Sequence, residues 1–110
     1  MQIGVADADG SVVVIIEYAA GRYGATTSTV DNEDDLLHVC PDVLFVETRH
    51  RLYDANVLDM LRASCAVPVF VVAMDTMAGF DDAPVLADFV LPKPFTAADL
   101  KQLMDQLSAV

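Results

Sequence analysis

Apolar residues in this chain fall into short runs separated by polar turns. Two spacings alternate along it. Residues 3–6, Ile-Gly-Val-Ala, read as a short buried strand closed by the turn signal Asp7-Ala8-Asp9-Gly10. Residues 26–30, rich in threonine and bounded by Asp31-Asn32, read as a second strand. Pro41 opens a third over residues 43–47. A fourth covers 67–73 with Pro68 at its start, and a fifth covers 89–91. Helical spacing fills the intervals. Asp31 is expected to cap a short acidic helix carrying Leu36, Leu37 and Val39. Asp54 caps one with Val57, Leu58 and Leu61 on a single face, and Thr96 caps one with Leu100, Leu103, Met104 and Leu107 at core spacing. Residues 11–22 are ambiguous. Their β-branched run favours a strand, whereas the length, a Ser11 cap and Ala19-Ala20 favour a helix. Helix is chosen, because a second strand here would leave no crossover between parallel strands. Gly79 and Pro84 interrupt residues 75–87, so a fourth helix should be short or frayed. Strands alternating with helices predict an α/β fold: a parallel sheet with helices on both faces and a functional crevice outside the carboxyl ends of the strands.

The length of 110 residues fits one domain spanning 1–110, and a hydrophobic content of 55% suits a sheet buried on both faces. No apolar stretch approaches the ~18 residues of a membrane span. The first residues lack the basic start and apolar core of a secretory signal. A soluble cytoplasmic protein without a membrane partner is expected. Seventeen acids against six bases give a net charge of −11, which argues against nucleic acid as a partner. The acid clusters at residues 31–35 and 81–82 read as solvated helix starts, with a high-salt habitat or a basic partner as alternatives. Cys40 and Cys65 each precede an inferred strand, and neighbouring strands would bring both thiols to one rim of the sheet. In a reducing cytoplasm they are expected to be free. Without a CxxC pair no zinc site is expected.

Candidate chemistry sits at the ends of the strands. Asp7 and Asp9 close the first apolar run, Glu47 closes Pro41-Asp-Val-Leu-Phe-Val-Glu47, and Lys93-Pro94-Phe95 closes the last. The order of these elements, with Val67-Pro68-Val69-Phe-Val-Val between them, resembles a response-regulator receiver domain over essentially the whole chain. The resemblance implies a flavodoxin-like (βα)5 three-layer sandwich with a parallel five-stranded sheet of order 2-1-3-4-5. It also implies a cis peptide before Pro94. In that family an Asp ending the third strand takes a phosphoryl group from a histidine kinase. Acids after the first strand hold Mg²⁺, a Thr or Ser after the fourth strand receives the phosphoryl oxygen, and the lysine pairs with it.

This sequence departs from that pattern at several positions. Glu47 stands at the acceptor position, and its extra methylene displaces the carboxylate by about one C–C bond, ~1.5 Å. Ala8 falls where the metal-binding acid is usual. Asp9 is a possible substitute, although alternation along an extended segment would aim it with Asp7. Ala73 replaces the switch hydroxyl, Val90 replaces the switch's aromatic partner, and Met74 is expected to crowd the pocket mouth. Lys93 is retained as a charge partner for Asp7 or Glu47. Arg49 and Arg51, half of the four arginines, lie just beyond Glu47, and one of them could fold over the acid end in place of a metal ion. His38 and His50 are read as surface histidines.

The expected function is therefore a phosphorylation-independent pseudo-receiver, a signalling module rather than an enzyme. It would have no cofactor, no bound metal and an unidentified protein partner. The contact surface implied by the resemblance is the face of the fourth and fifth helices with the fifth strand. Met77, Phe80 and Val85 would there form either an apolar patch, for a partner or a homodimer, or the inner face of a short helix; the inner face is the preferred reading. Two alternatives stay open: a true receiver phosphorylated on Asp7 or Asp9, and a small-molecule sensor with Met74 and Phe80 lining an apolar pocket.

Overall fold

The computed structural model describes residues 1–108, and its elements follow from local signals read in chain order. Strand β1 (Gln2–Ala6) leads into α1 (Gly10–Gly21), and the ambiguous valine-rich run is helical. Its cap is Asp9 rather than Ser11: the Asp9 side chain accepts from the Ser11 N–H. Val12, Ile16, Ala19 and Ala20 are buried at helical spacing, so tertiary cover overrides β-propensity. Strand β2 (Thr26–Thr29) is followed by α2 (Glu33–Val39). Here Asn32, not Asp31, is the cap, accepting from the Asp35 N–H at 2.8 Å, while Asp31 N–H donates to the Asp35 carboxylate at 3.0 Å. Strand β3 (Val43–Glu47) and α3 (Ala55–Ser64), with Asp54 as its cap, fall where the pattern puts them. Strand β4 (Phe70–Thr76), α4 (Met77–Asp82), β5 (Phe89–Lys93) and α5 (Ala97–Ser108) complete the order. At the start of α5, Thr96 and Asp99 exchange hydrogen bonds reciprocally, at 2.8 and 3.2 Å.

The five strands form one parallel sheet of order β2-β1-β3-β4-β5. Side chains alternate between its faces. Ile3, Val5, Val43, Phe45, Val72, Met74 and Leu91 pack under α1 and α5. Ala6, Leu44, Val46, Val69 and Val71 pack under α2 and α3.

Three expectations change here. First, β4 runs three residues further than its apolar core suggests, and starts later. Val67 and Pro68 stay outside it, while Met74 turns inward and is fully buried with Val72, Phe45 and Leu91. Met74 therefore neither crowds the pocket mouth nor lines a crevice with Phe80. Second, α4 is short as expected, at six residues, but its inner face is not built from Met77, Phe80 and Val85. Met77 is exposed, Val85 is 87% exposed and Phe80 is half-buried.

Third, Cys40 and Cys65 are disulfide-bonded, with Cα atoms 5.6 Å apart. The expectation of free thiols rested on compartment, whereas the geometry brings the ends of α2 and α3 together. Each cysteine is the C-terminal cap of its helix, and Cys40 adopts the left-handed conformation (φ 43°) that turns the chain off α2. The bridge matters for α2, whose only buried side chain is Leu36.

Candidate functional site at the carboxyl edge of the sheet

The carboxyl ends of β1, β3 and β5 bring Asp7, Glu47 and Lys93 to one edge, as the sequence pattern implies. Asp7 follows β1, whose Ala6 is paired with Val46. The next step along both strands sets Asp7 beside Glu47 on the face shared by Val5 and Phe45. Lys93 reaches back across the sheet, and its Nζ lies 2.7 Å from Asp7 Oδ2. The Asp7 side chain is only 1% exposed and that of Lys93 21%, so the pair is largely withdrawn from water. The other Asp7 oxygen accepts from the Asp9 N–H at 2.8 Å. Both oxygens of Asp7 thus accept from the protein's own donors, which offsets the cost of burying the charge. The Lys93–Pro94 peptide is cis, as the family resemblance implied.

The remaining positions fall as follows. Asp9 is exposed and serves α1. Hydrogen bonds from the Ser11 hydroxyl and the Ser11 N–H hold its carboxyl below the usual range. Ala8 is exposed beside it. Glu47 is half-buried, and its carbonyl accepts from the His50 N–H, closing a turn. Ala73 is fully buried, and its register partner on β5 is Val90. Val90 is exposed because α4, with no buried residue, leaves that part of the sheet uncovered.

The two arginines part company. Arg51 donates through Nε and Nη2 to the Asp31 carbonyl, at 3.0 and 2.7 Å, and so belongs to the start of α2. Arg49 is exposed, and its charge is felt by Asp75. His50, expected at the surface, is mostly covered: its Nδ1 accepts from the Leu52 N–H and its Nε2 lies 3.6 Å from Asp31. His38 is exposed in the last turn of α2.

Sequence reasoning missed Asp75, the only buried charged residue among those described, at 5% exposure. One carboxylate oxygen accepts the Thr48 hydroxyl and the other accepts the Thr76 N–H at 2.6 Å. These bonds, Thr48 first, outweigh burial and lower its pKa, with Arg49 contributing. The Thr48 N–H also donates to the Met74 carbonyl at 3.1 Å, carrying the β3–β4 ladder past Glu47. The carboxylate lies over Gly79, where a Cβ would collide with it. The signal was available, since Asp75 closes an apolar run just as Asp7 and Glu47 do. Ending the strand at Ala73 concealed it.

No family model matches the chain, and no curated protein matches it in sequence. Among solved structures it resembles a response regulator from Thermotoga maritima, with a TM-score of 0.75 and 16% identity over 99% of this chain and 98% of that one. It likewise resembles the receiver domain of the sensor histidine kinase PA1611 from Pseudomonas aeruginosa, a structure with magnesium coordinated in its active-site cleft. There the TM-score is 0.74 and the identity 16%, over 99% of this chain and 98% of that one. NtrX from Brucella abortus matches at a TM-score of 0.71 and 20% identity over 96% of this chain, which spans only 26% of NtrX. At these identities the likeness is one of fold: the chain has the receiver fold, an α/β sandwich of the flavodoxin-like type.

Proposed function

We propose that the chain is a pseudo-receiver: a signalling module that acts through protein–protein contact and needs no phosphorylation. The observation that carries this reading is the closed Asp7–Lys93 pair. Lys93, which in a receiver would meet a phosphoryl group, is engaged by Asp7 at 2.7 Å, and each Asp7 oxygen already accepts a hydrogen bond from within the chain. The acceptor position holds Glu47. The switch position holds Ala73, which offers no hydroxyl.

A divalent cation fits this donor set poorly. Mg²⁺ favours six oxygens in near-octahedral geometry. Here Ala8 supplies none, Asp9 is drawn away to cap α1, and Asp7 already has two donors. Glu47 alone is a weak basis for a metal site. We read it as a remnant rather than a mimic of an activated state, because a carboxylate carries one charge and two oxygens against nearly two charges and three oxygens for a phosphoryl group. On this reading the chain is neither an enzyme nor dependent on a cofactor. No helix among the described residues is long and apolar enough to cross a membrane.

The test is incubation with acetyl phosphate, or with beryllofluoride, in the presence of Mg²⁺. Intact-mass and amide-shift measurements are expected to show no covalent adduct and no rearrangement. A stable phosphoryl adduct on Glu47, Asp7 or Asp9 would overturn the reading in favour of an active receiver.

A further inference from the structure

Helix α2 is held at its ends rather than along its length. α1 and α5 each bury four side chains and α3 buries three, whereas the seven residues of α2 bury only Leu36. It follows β2, the outermost strand, none of whose four residues is fully buried. At its C-terminal end Cys40 is bridged to Cys65, at the amino edge of the sheet just ahead of β3 and β4. Ahead of its N-terminal end, at the carboxyl edge, the Asp31 carbonyl accepts from Arg51 Nε and Nη2 at 3.0 and 2.7 Å. The Asp31 carboxylate lies 3.6 Å from His50 Nε2 and 3.8 Å from Arg51. His50 and Arg51 belong to the segment that follows Glu47. The helix therefore joins a disulfide at one edge of the sheet to the candidate-site loop at the other.

The two fastenings differ in kind. The hydrogen bonds open and close thermally, but the bridge opens only by a chemical step. Cys40 is half-buried while Cys65 is 9% exposed, so an incoming thiol meets the Cys40 sulfur first. A thiolate of a dithiol reductant attacks Cys40 Sγ, the S–S bond breaks, and Cys65 leaves as a thiolate. The second thiol of the reductant then displaces Cys40 and closes the reductant's own disulfide. Two electrons pass to the chain, and the reductant's two protons end on Cys40 and Cys65. Nothing covalent then holds the last turn of α2. Cys40 is left in a left-handed conformation (φ 43°) that a residue with a Cβ adopts at a cost. α3 keeps Val57, Leu58 and Leu61 in the core, and β3 stays paired with β4, so the loss is local to α2.

We propose that Cys40 and Cys65 form a thiol–disulfide switch that seats α2 when oxidised and releases it when reduced by a dithiol. Release is transmitted through Asp31 to residues 48–53, because Arg51 and His50 lose the fixed partner that α2 presents to them. A redox signal received at the amino edge of the sheet thus changes the loop at the carboxyl edge. The inference stands whether or not Glu47 ever carries a phosphoryl group. Labelling with acetyl phosphate therefore bears on the function proposed above and leaves this one untouched.

The experiment uses the whole chain, labelled with ¹⁵N, prepared oxidised and then titrated with dithiothreitol. Intact mass is expected to rise by two hydrogens. Amides of α2 and of residues 48–53 should shift together while those of the central strands stay in place. Hydrogen exchange in α2 should quicken about tenfold or more. Oxidised glutathione should reverse all three changes. Cys40→Ser with Cys65→Ser should hold the released state and ignore the reductant. Arg51→Ala should keep the mass change and the loosening of α2 but lose the redox response at residues 48–53. The proposal fails if the shifts stay beside Cys40 and Cys65, or if the folded chain resists millimolar dithiothreitol that reduces the unfolded one. It fails if reduction unfolds the whole domain, since the bridge is then a staple and not a switch. It fails equally if Arg51→Ala leaves the response at residues 48–53 intact, since Asp31 is then not the link.

Discussion

The Thr48 hydroxyl donates to the carboxylate of Asp75, 27 residues further along the chain, and so ties the turn after β3 to the end of β4. A buried carboxylate is costly unless its oxygens are occupied, and here Thr48 occupies one and the Thr76 N–H the other. Thr76 in turn caps α4, accepting from the Gly79 N–H at 3.1 Å. A single acid therefore fixes the corner from which α4 departs. Thr48→Val is expected to destabilise the fold by about 1–3 kcal/mol, because it leaves a buried acceptor unmet. Urea denaturation measures this, and hydrogen exchange should show the loss concentrated at residues 75–80.

The same group gives acid sensitivity. The folded pKa of Asp75 lies below its ordinary value, mainly through the Thr48 hydrogen bond. Its stabilising contribution is therefore fully present above the usual carboxylate pKa of about 4, and is lost as pH falls through the lower folded value. Asp9 and Asp105 are shifted in the same direction but are exposed, so they weigh less. Stability measured against pH should be flat near neutrality and fall below about pH 4. The Asp75→Asn variant should show a shallower fall.

Lys93 and Asp7 stabilise each other only as a pair. Lys93→Met would leave a carboxylate of 1% side-chain exposure without its charge partner. The expected loss is roughly 2–3 kcal/mol, below the 3–5 of a fully buried pair because Lys93 keeps some water. The double variant Asp7→Asn with Lys93→Met should recover most of that loss. Additive losses in denaturant unfolding would contradict the coupling.

The Cys40–Cys65 bridge closes a loop with a sequence separation of 25. Constraint of the unfolded chain over such a loop is worth ~3 kcal/mol. Reduction, or Cys40→Ser with Cys65→Ser, should lower stability by about that amount. Hydrogen exchange should rise first in α2, which has one buried side chain to hold it.

Rebuilding the site tests the pseudo-receiver reading from the other direction. Glu47→Asp alone is expected to remain inert toward acetyl phosphate, since Ala8 still offers no ligand. Glu47→Asp with Ala8→Asp supplies both an acceptor and a metal-binding acid. That variant should gain Mg²⁺ binding in a calorimetric titration and slow labelling by intact mass. Labelling of the single variant at the rate of the double one would show that the missing ligand is not the barrier.

The sequence by itself determined the order of strands and helices, the short α4, the caps at Asp54 and Thr96, and the meeting of Asp7, Glu47 and Lys93 at one edge. The elements and caps follow from periodicity and turn residues close together in the chain, and the meeting at the edge follows from the family-like order of motifs. The caps at Asp9 and Asn32 were displaced by one or two residues, because Asp, Asn and Ser compete closely for a helix start and the turn geometry chooses among them. Only the tertiary structure decided that Lys93 meets Asp7 rather than Glu47, that Met74 turns into the core, and that Cys40 finds Cys65. It alone showed that Asp75 is buried against Thr48. The physical reason is one of range. A strand's period fixes which way its side chains point, but the partner a side chain meets depends on the neighbouring strand, its register and the length of the element that should cover it, none of which local spacing encodes.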